Sequence, residues 1–414
     1  MSNLKNIFVS VFHNYLDGWV YTILWTSIII YSLGFLSYIS DHVASQLSLL
    51  IMIFGLVGIG FSFLKLVKLN ISNSYLKIIF PLFMLWQMYI IMRGIQGFNF
   101  SMLLSLLFSP YYFLHYLVPL FILIPANIFF AKKMFNLFTV LSILLFVVFL
   151  LFPNEILHTN LIFSEQVVWT LGTGGGFLLL TWGYHTKKRR VIALLTVLLS
   201  LFISTIMARR NIMLTFSNFF IFSLLIVILS RSQSIRNKVY ILTIVLLISA
   251  ISYAIFFSFQ DKLFGKISTH LSENTRGIIY DAFINDMTTK DLVIGKGFLG
   301  EYYCPGAEEG RDTRFLIESG YLQTILKGGA ISLILFLLIA LPAAYLGIVK
   351  SKNILSKASG TIVILWLIDM FPWGMPAINI RYILVWTCIG ICYSSVIRNL
   401  SEAEIKNSLL LFSK

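Results

Sequence analysis

Charge is scarce in this sequence: 12% of its 414 residues are Asp, Glu, Lys or Arg, where an ordinary globular domain carries about a quarter. A soluble fold is thereby excluded, because 58% of the chain is hydrophobic and too little polar surface remains to cover it. Cysteine is scarce too. Cys304 stands alone in a polar stretch, and Cys388 and Cys392 lie one helical turn apart in an apolar run, so neither a disulfide framework nor a metal-site spacing follows. The six histidines form no His-x-x-x-His pattern, and His270 has no partner at ligand spacing; no metal is expected. There is no P-loop and no Gly-x-Ser-x-Gly elbow. Nothing suggests nucleotide energy, and no cofactor is expected. Residues Met1–Trp19 lack a short apolar core followed by a small-residue cleavage site, so the first span is expected to remain as an uncleaved anchor and the mature chain to begin near Met1.

What is present is a series of apolar runs of about 20 residues, the length that crosses about 30 Å of hydrocarbon. Hydropathy places spans near residues 19–40, 44–64, 75–92, 111–130, 134–152, 167–185, 191–207, 212–229, 239–257, 321–349, 358–376 and 382–397. The expected fold class is therefore all-α, a single polytopic membrane domain over residues 1–414 with about 12 transmembrane helices and one large extracytoplasmic loop at 258–320. Stretch 94–118 contains Pro110 and several aromatics and reads as partly interfacial or re-entrant, which leaves the span count open by one. No inverted repeat of the transporter kind is evident.

A net charge of +14 with pI near 9.6 would point a soluble protein toward nucleic acid, but here the charge sits in short connections between apolar runs. It reads as topology, and no nucleic-acid partner is expected. With the N-terminus inside, the inner connections hold Lys65, Lys68 and Lys77, then Lys132 and Lys133, then Lys187–Arg190, then Lys350, Lys352 and Lys357. The short outer ones hold only Arg93, Arg209, Arg210 and Arg381. Both termini are expected to be cytoplasmic. The long connection 258–320 then lies outside, and it carries ten of the seventeen acidic residues. Its middle reads as an amphipathic helix with Ser272 as N-cap and Ile278, Ile279, Ala282 and Phe283 on one face. A glycine-rich turn, Ile294–Tyr303, and the loop Cys304–Arg314 follow.

All the basic residues of the short outer connections are arginines. A guanidinium grips phosphate bidentately and never loses its charge, which suits a diphosphate or an anionic head group. Arg276, Arg311 and Arg314 fall in the same compartment and extend the expected anion site; the alternative for any one of them is snorkelling to lipid phosphates. Glu318 lies just before the tenth span and is a candidate base, or else a salt-bridge partner of Arg314 one turn earlier. Asp312 is a weaker candidate of the same kind. Asp369, an acid inside an apolar span, is either functional or paired with Arg381. Tyr302, Tyr303 and Tyr321 offer rings for stacking on sugars, although aromatic belts account for most such residues.

Three stretches resemble one family. Ser204-Thr205-Ile206-Met207-Ala208-Arg209-Arg210 is similar to the small-residue-plus-arginine motif that closes a span on the outer face in the superfamily of bacterial O-antigen polymerases and O-antigen ligases. Thr275-Arg276 followed by Ile294-Gly295-Lys296-Gly297 resembles the opening of that family's large periplasmic loop. Glu318-Ser319-Gly320-Tyr321-Leu322 through Gly328-Gly329 is similar to the element that leads into its next span. The resemblance covers roughly residues 200–345 by motif and the rest by topology. Where the family has His-Asn or Asp-Asn this chain has Glu318-Ser319, a departure that a polymerase tolerates better than a ligase. The resemblance implies a membrane glycosyltransferase of the bacterial cytoplasmic membrane. Its substrate would be an undecaprenyl-diphosphate-linked oligosaccharide, joined into an O-antigen or capsular-type polysaccharide with no nucleotide sugar or metal. Arg209, Arg210, Arg276, Arg311, Arg314 and Tyr321 would bind substrate, with Glu318 or Asp312 as catalytic acid-base group. Membrane lipids, a chain-length regulator and a flippase are the partners it implies. A ligase passing the glycan to a lipid A core, and a polysaccharide-related transporter or flippase, are the alternatives.

Overall fold

The structure, a computed structural model, describes residues 2–40, 43–69, 71–94, 111, 113–159, 161–207, 209–229, 275–308 and 311–411. In chain order these form α1 (Ser2–Ile39), α2 (Ser45–Leu66), α3 (Ser74–Gly94), a 3₁₀-helix (Phe113–Leu123), α4 (Ile128–Leu151), α5 (Leu161–Val167), α6 (Thr173–Leu180), α7 (Lys187–Ile206) and α8 (Arg210–Leu229). After the segment outside the described residues come α9 (Thr275–Asp286), α10 (Thr289–Ile294), β1 (Tyr302–Glu308), β2 (Arg311–Arg314), α11 (Gly320–Ile348), α12 (Ile354–Asp369), α13 (Ile380–Tyr393), α14 (Ser395–Asn399) and α15 (Glu402–Leu411). The protein is a mostly helical membrane protein. Among the described residues six helices are long and apolar enough to span a bilayer: residues Gly18–Ile39 of α1, and α2, α3, α4, α7 and α11.

Packing between them relies on close backbone approach, as it must where lipid tails are as apolar as the side chains. Gly55 of α2 faces Tyr31 of α1 so closely that a Cβ would meet the Tyr31 backbone, while Phe54, Val57 and Leu64 on the other face stay exposed to lipid. Helix starts are capped by asparagine: Asn127 accepts from Phe130 N at 2.7 Å, Asn353 from Ser356 N at 2.9 Å and Asn379 from Tyr382 N at 2.9 Å. Each satisfies a backbone donor that the helix leaves open. At one end of the bundle Tyr184 donates to Glu402 at 2.6 Å and ties α15 to the start of α12.

The segment 275–320 sits at the other end. Of the face expected on α9, Ile279, Ala282 and Phe283 turn inward, onto a small core with Met287, Tyr302, Ile317 and Leu326, while the Ile278 side chain lies outside the described residues. The segment is docked by its glycine turn. Gly329 adopts φ +68 inside α11, where a side chain would collide with the Val293 carbonyl, and the break leaves carbonyls of the preceding turn without helical partners. Lys296 N and Gly297 N supply them, bonding Leu326 O at 2.8 Å and Lys327 O at 3.0 Å. Arg93 at the end of α3 clamps the same turn through Gly295 O at 2.6 Å and Ile294 O at 3.2 Å.

Three differences from the sequence reading have physical causes. The stretch expected as one span over 167–185 is broken into α5, a π turn over Val168–Gly172, and α6, because Gly172 and Gly174–Gly176 bring its backbone against Ser200, Phe138, Thr196 and Phe219 and bury it completely. The helix expected to 376 ends at Asp369, ahead of Pro372 and the positive-φ Gly374. The third is local and leaves the helical class standing: within the loop Tyr302 pairs with Arg314 and Tyr303 with Thr313 in an antiparallel ribbon, a pairing that aromatic and β-branched residues favour. The expected span 239–257, Ser272, His270 and residues 95–110 lie outside the described residues.

Candidate functional site

The ends of α5, α8, α12 and α13, with the turn between α7 and α8, carry a chain of charged and aromatic groups, buried except at part-exposed Arg209. Arg381, at the start of α13, donates through Nη2 to Asp369 at the end of α12. Both are buried, and Asp369 also accepts from Thr215 of α8 at 2.7 Å. The Arg381 guanidinium lies 3.9 Å from the Trp169 ring centroid and 5.0 Å from that of Trp366, the stacked geometry that suits a planar, weakly hydrated cation. Trp169 Nε1 donates to Glu165 at 3.4 Å, and Glu165 in turn sits 3.5 Å from Arg209 Nε. Helices that are distant in sequence thus meet in one network, Arg209–Glu165–Trp169–Arg381–Asp369–Thr215. Its charges are paired one to one, which is the condition for burying them.

The sequence-predicted residues fall into two groups. Arg209 belongs to this network, and Arg210 beside it is exposed at the first turn of α8. Arg314, Glu318 and Tyr321 belong to the docked segment. Arg314 and Glu318 both act on Tyr302, whose phenol burial pushes up to about 12 against the pull of Arg314. Tyr302 is packed edge-on against Phe283 at 5.8 Å, so it is core and not a sugar platform; Tyr303 is exposed. Glu318 is half-buried, and its carbonyl accepts from Tyr280 at 3.4 Å. Next to it Ser319 and Gly320 bond Met370 O at 3.3 and 2.8 Å, and Tyr321 donates to Leu367 O at 2.9 Å with its ring against Phe371. The Glu318 backbone is therefore fixed to the end of α12. Asp312 is exposed on β2. Arg276 is the second residue of α9 and Arg311 begins β2; their side chains lie outside the described residues.

Sequence reasoning missed Glu165 and Lys327. Lys327 is an ionisable residue within an apolar run, the signal that singled out Asp369, whereas Glu165 lies at the edge of such a run. Among the described residues no group of three His, Cys, Asp or Glu is placed to hold a metal ion. The chain matches no family model, no curated protein and no solved structure.

Proposed function

We propose that the protein is a polysaccharide polymerase of the bacterial cytoplasmic membrane. It moves a growing O-antigen or capsular-type glycan from its undecaprenyl diphosphate carrier onto a sugar hydroxyl of the next lipid-linked repeat unit. In this reading about 12 spans leave both termini cytoplasmic and the 258–320 loop outside. The observation that carries it is the convergence of Arg209, Arg210, Arg381 and the Glu318 segment on one end of the bundle, together with the motif resemblance at Ser204–Arg210 and Glu318–Leu322.

The chemistry follows from those groups. The acceptor hydroxyl oxygen attacks the anomeric carbon, the bond from that carbon to the diphosphate oxygen breaks, and undecaprenyl diphosphate leaves with the bonding pair. Negative charge builds on the departing diphosphate, and exposed Arg210 with the terminal nitrogens of Arg209 stabilises it. Glu165 meets Arg209 at Nε and so orients the fork. Glu318 takes the hydroxyl proton. The reading is tested by giving purified protein a defined lipid-linked repeat unit: ladders of lengthening lipid-linked polymer are expected. Folded protein that makes none, yet attaches preformed polymer to a lipid A core, would replace polymerase by ligase.

A further inference from the structure

Between α3, the 3₁₀-helix, α11, α12 and α13 lies a cavity of about 40 Å³, walled by aromatic rings and lined on its polar side by Gln87, Tyr116, Gln323, Lys327, Ser332 and Trp366. Each of those six carries a hydrogen-bond donor, and no carboxylate is among the described residues that line the cavity. Gln323 is already engaged, accepting from Ile317 N at 3.0 Å and donating to Phe315 O at 3.5 Å. Lys327 is engaged only in part. Its ammonium donates to Gly300 O at 2.7 Å and lies 3.2 Å from the Phe315 ring centroid, while an ammonium has three protons to place. Glu301, the acid whose charge acts on it, is exposed and is not part of the cavity wall. Trp366 Nε1 and the Tyr116 hydroxyl belong to residues 3% and 4% exposed, and neither atom has a hydrogen-bond partner among the described residues.

An unmet buried donor costs about 1–3 kcal/mol, and a buried ammonium without counter-charge costs more. Two such donors, beside an ammonium that still has protons to place, mark the place around this cavity of an acceptor that carries negative charge. Size narrows the choice. At about 40 Å³ the cavity is a few times the roughly 10–15 Å³ that one water needs, enough for a carboxylate group and too little for a sugar ring. A carboxylate only accepts, and its two oxygens can be shared between an ammonium and neutral donors.

We propose that this cavity binds one carboxylate-sized anionic group, with Lys327 as its counter-charge and the Trp366 indole and Tyr116 hydroxyl as neutral donors. The source of the group rests on the polymerase reading: an acidic sugar of the lipid-linked glycan inserts its carboxylate, while its ring stays at the loop end, where Thr324, Met370 and Pro376 contribute to the wall. Saturation-transfer NMR on the full chain in nanodiscs, with glucuronate, acetate and glucose as probes, tests it. A saturable signal is expected with glucuronate and none with glucose. Tyr116→Phe, which keeps shape and removes one donor, should raise the midpoint about tenfold or more, the effect of losing one hydrogen bond to a charged group, and Trp366→Phe, which removes the other donor together with part of the ring, should raise it at least as much. Binding of glucuronate alone assigns the site to a sugar-borne carboxylate, and binding of acetate as well assigns it to small carboxylates in general. No saturable signal from either carboxylate, an equal response to glucose, or midpoints unmoved in both variants would overturn the proposal and leave a cavity filled by water. Binding is measured without turnover, so this outcome is independent of whether the purified protein extends a glycan.

Discussion

Arg381 donates to Asp369, twelve residues earlier in the chain, and the pair closes the return between α12 and α13 inside the bundle, with the two residues 8% and 4% exposed. An acid and a base that each look anomalous in an apolar run are thus one another's counter-ions. Asp369 is held by two further contacts, from Thr215 and through the stacked indoles on its partner. The pair joins α8, α12 and α13 in one unit.

Removing one member of such a pair leaves a buried charge without compensation, at a cost of about 3–5 kcal/mol. Asp369→Asn and Arg381→Gln are each expected to lower the melting temperature in detergent sharply. The double variant should lose clearly less than the sum of the singles, because neither charge remains. Additive losses would show that the two residues act independently.

Gly329 gives a test of the docking of the 275–320 segment. Its φ of +68 with ψ near −177 is a conformation that essentially only glycine adopts, and a side chain there costs about 1–3 kcal/mol in backbone strain before any clash. Gly329→Ala also drives a methyl into the Val293 carbonyl. Faster proteolytic cleavage within residues 290–300 is expected for Gly329→Ala, and to a smaller degree for Arg93→Lys, which keeps charge but loses the two-carbonyl clamp on Ile294 and Gly295. Cleavage at the wild-type rate in both would show that the turn is held elsewhere.

How far these features are legible in the sequence differs by kind. Helix positions follow from apolar length where the run is long, and several expected spans coincide with observed helices to within a few residues, as for Ser45–Leu66, Ser74–Gly94 and Gly320–Ile348. The expected span 111–130, by contrast, is a 3₁₀-helix over Phe113–Leu123 with the next helix starting at Ile128. The break at Val168–Gly172 was not legible, since it depends on how closely Phe138 approaches Gly174 and Thr196 approaches Gly175, a property of partners far along the chain. The Asp369–Arg381 pairing was foreseeable as one of two choices because both residues are conspicuous in an apolar setting. Glu165 escaped notice because it lies at the edge of a run, in Ser164-Glu165-Gln166, where an acid looks solvated. Only the fold puts Trp169 and Arg209 beside it.

Topology carries every assignment of a residue to a side of the membrane. A reporter fused after Glu301 is expected to read extracytoplasmic and one fused after Lys188 cytoplasmic, as the excess of Lys and Arg in alternate connections requires. The opposite pattern would place Arg209, Arg210 and the 275–320 segment on the wrong face for a substrate presented outside the membrane.

Arg210 and Arg209 separate grip from snorkelling. Lysine keeps the charge but is a point donor without the fork, so at equal protein level Arg210→Lys should reduce polymer yield and Arg210→Ala should reduce it further. Glu165→Gln weakens the hold on Arg209 and should reproduce part of the Arg209→Lys loss while adding little on top of it. Ladders of wild-type length and amount from all of these variants would remove the diphosphate grip and leave snorkelling to lipid phosphate as the account of these arginines.

Glu318 is where a catalytic and a structural role diverge most clearly. Its backbone is held against the end of α12 by Ser319 and Gly320, so a change confined to its carboxylate need not disturb the chain around it. Glutamine keeps the shape and the hydrogen bonding but does not accept a proton as a carboxylate does. If Glu318 removes the acceptor proton, Glu318→Gln should lose activity by about 10²–10⁴-fold, the contribution typical of a general base, with its melting temperature unchanged. If the carboxylate instead serves the Tyr302–Arg314 cluster, Glu318→Gln and Arg314→Gln should each be mild, since partly exposed pairs contribute at most about 1 kcal/mol. The double variant should then be no worse than either single. Assaying both singles and the double for lipid-linked polymer, with thermal unfolding in detergent as the folding control, decides between the two. Near-normal polymer from Glu318→Gln would remove this residue from the chemistry and pass the role of base to Asp312, the acid of the segment exposed on β2.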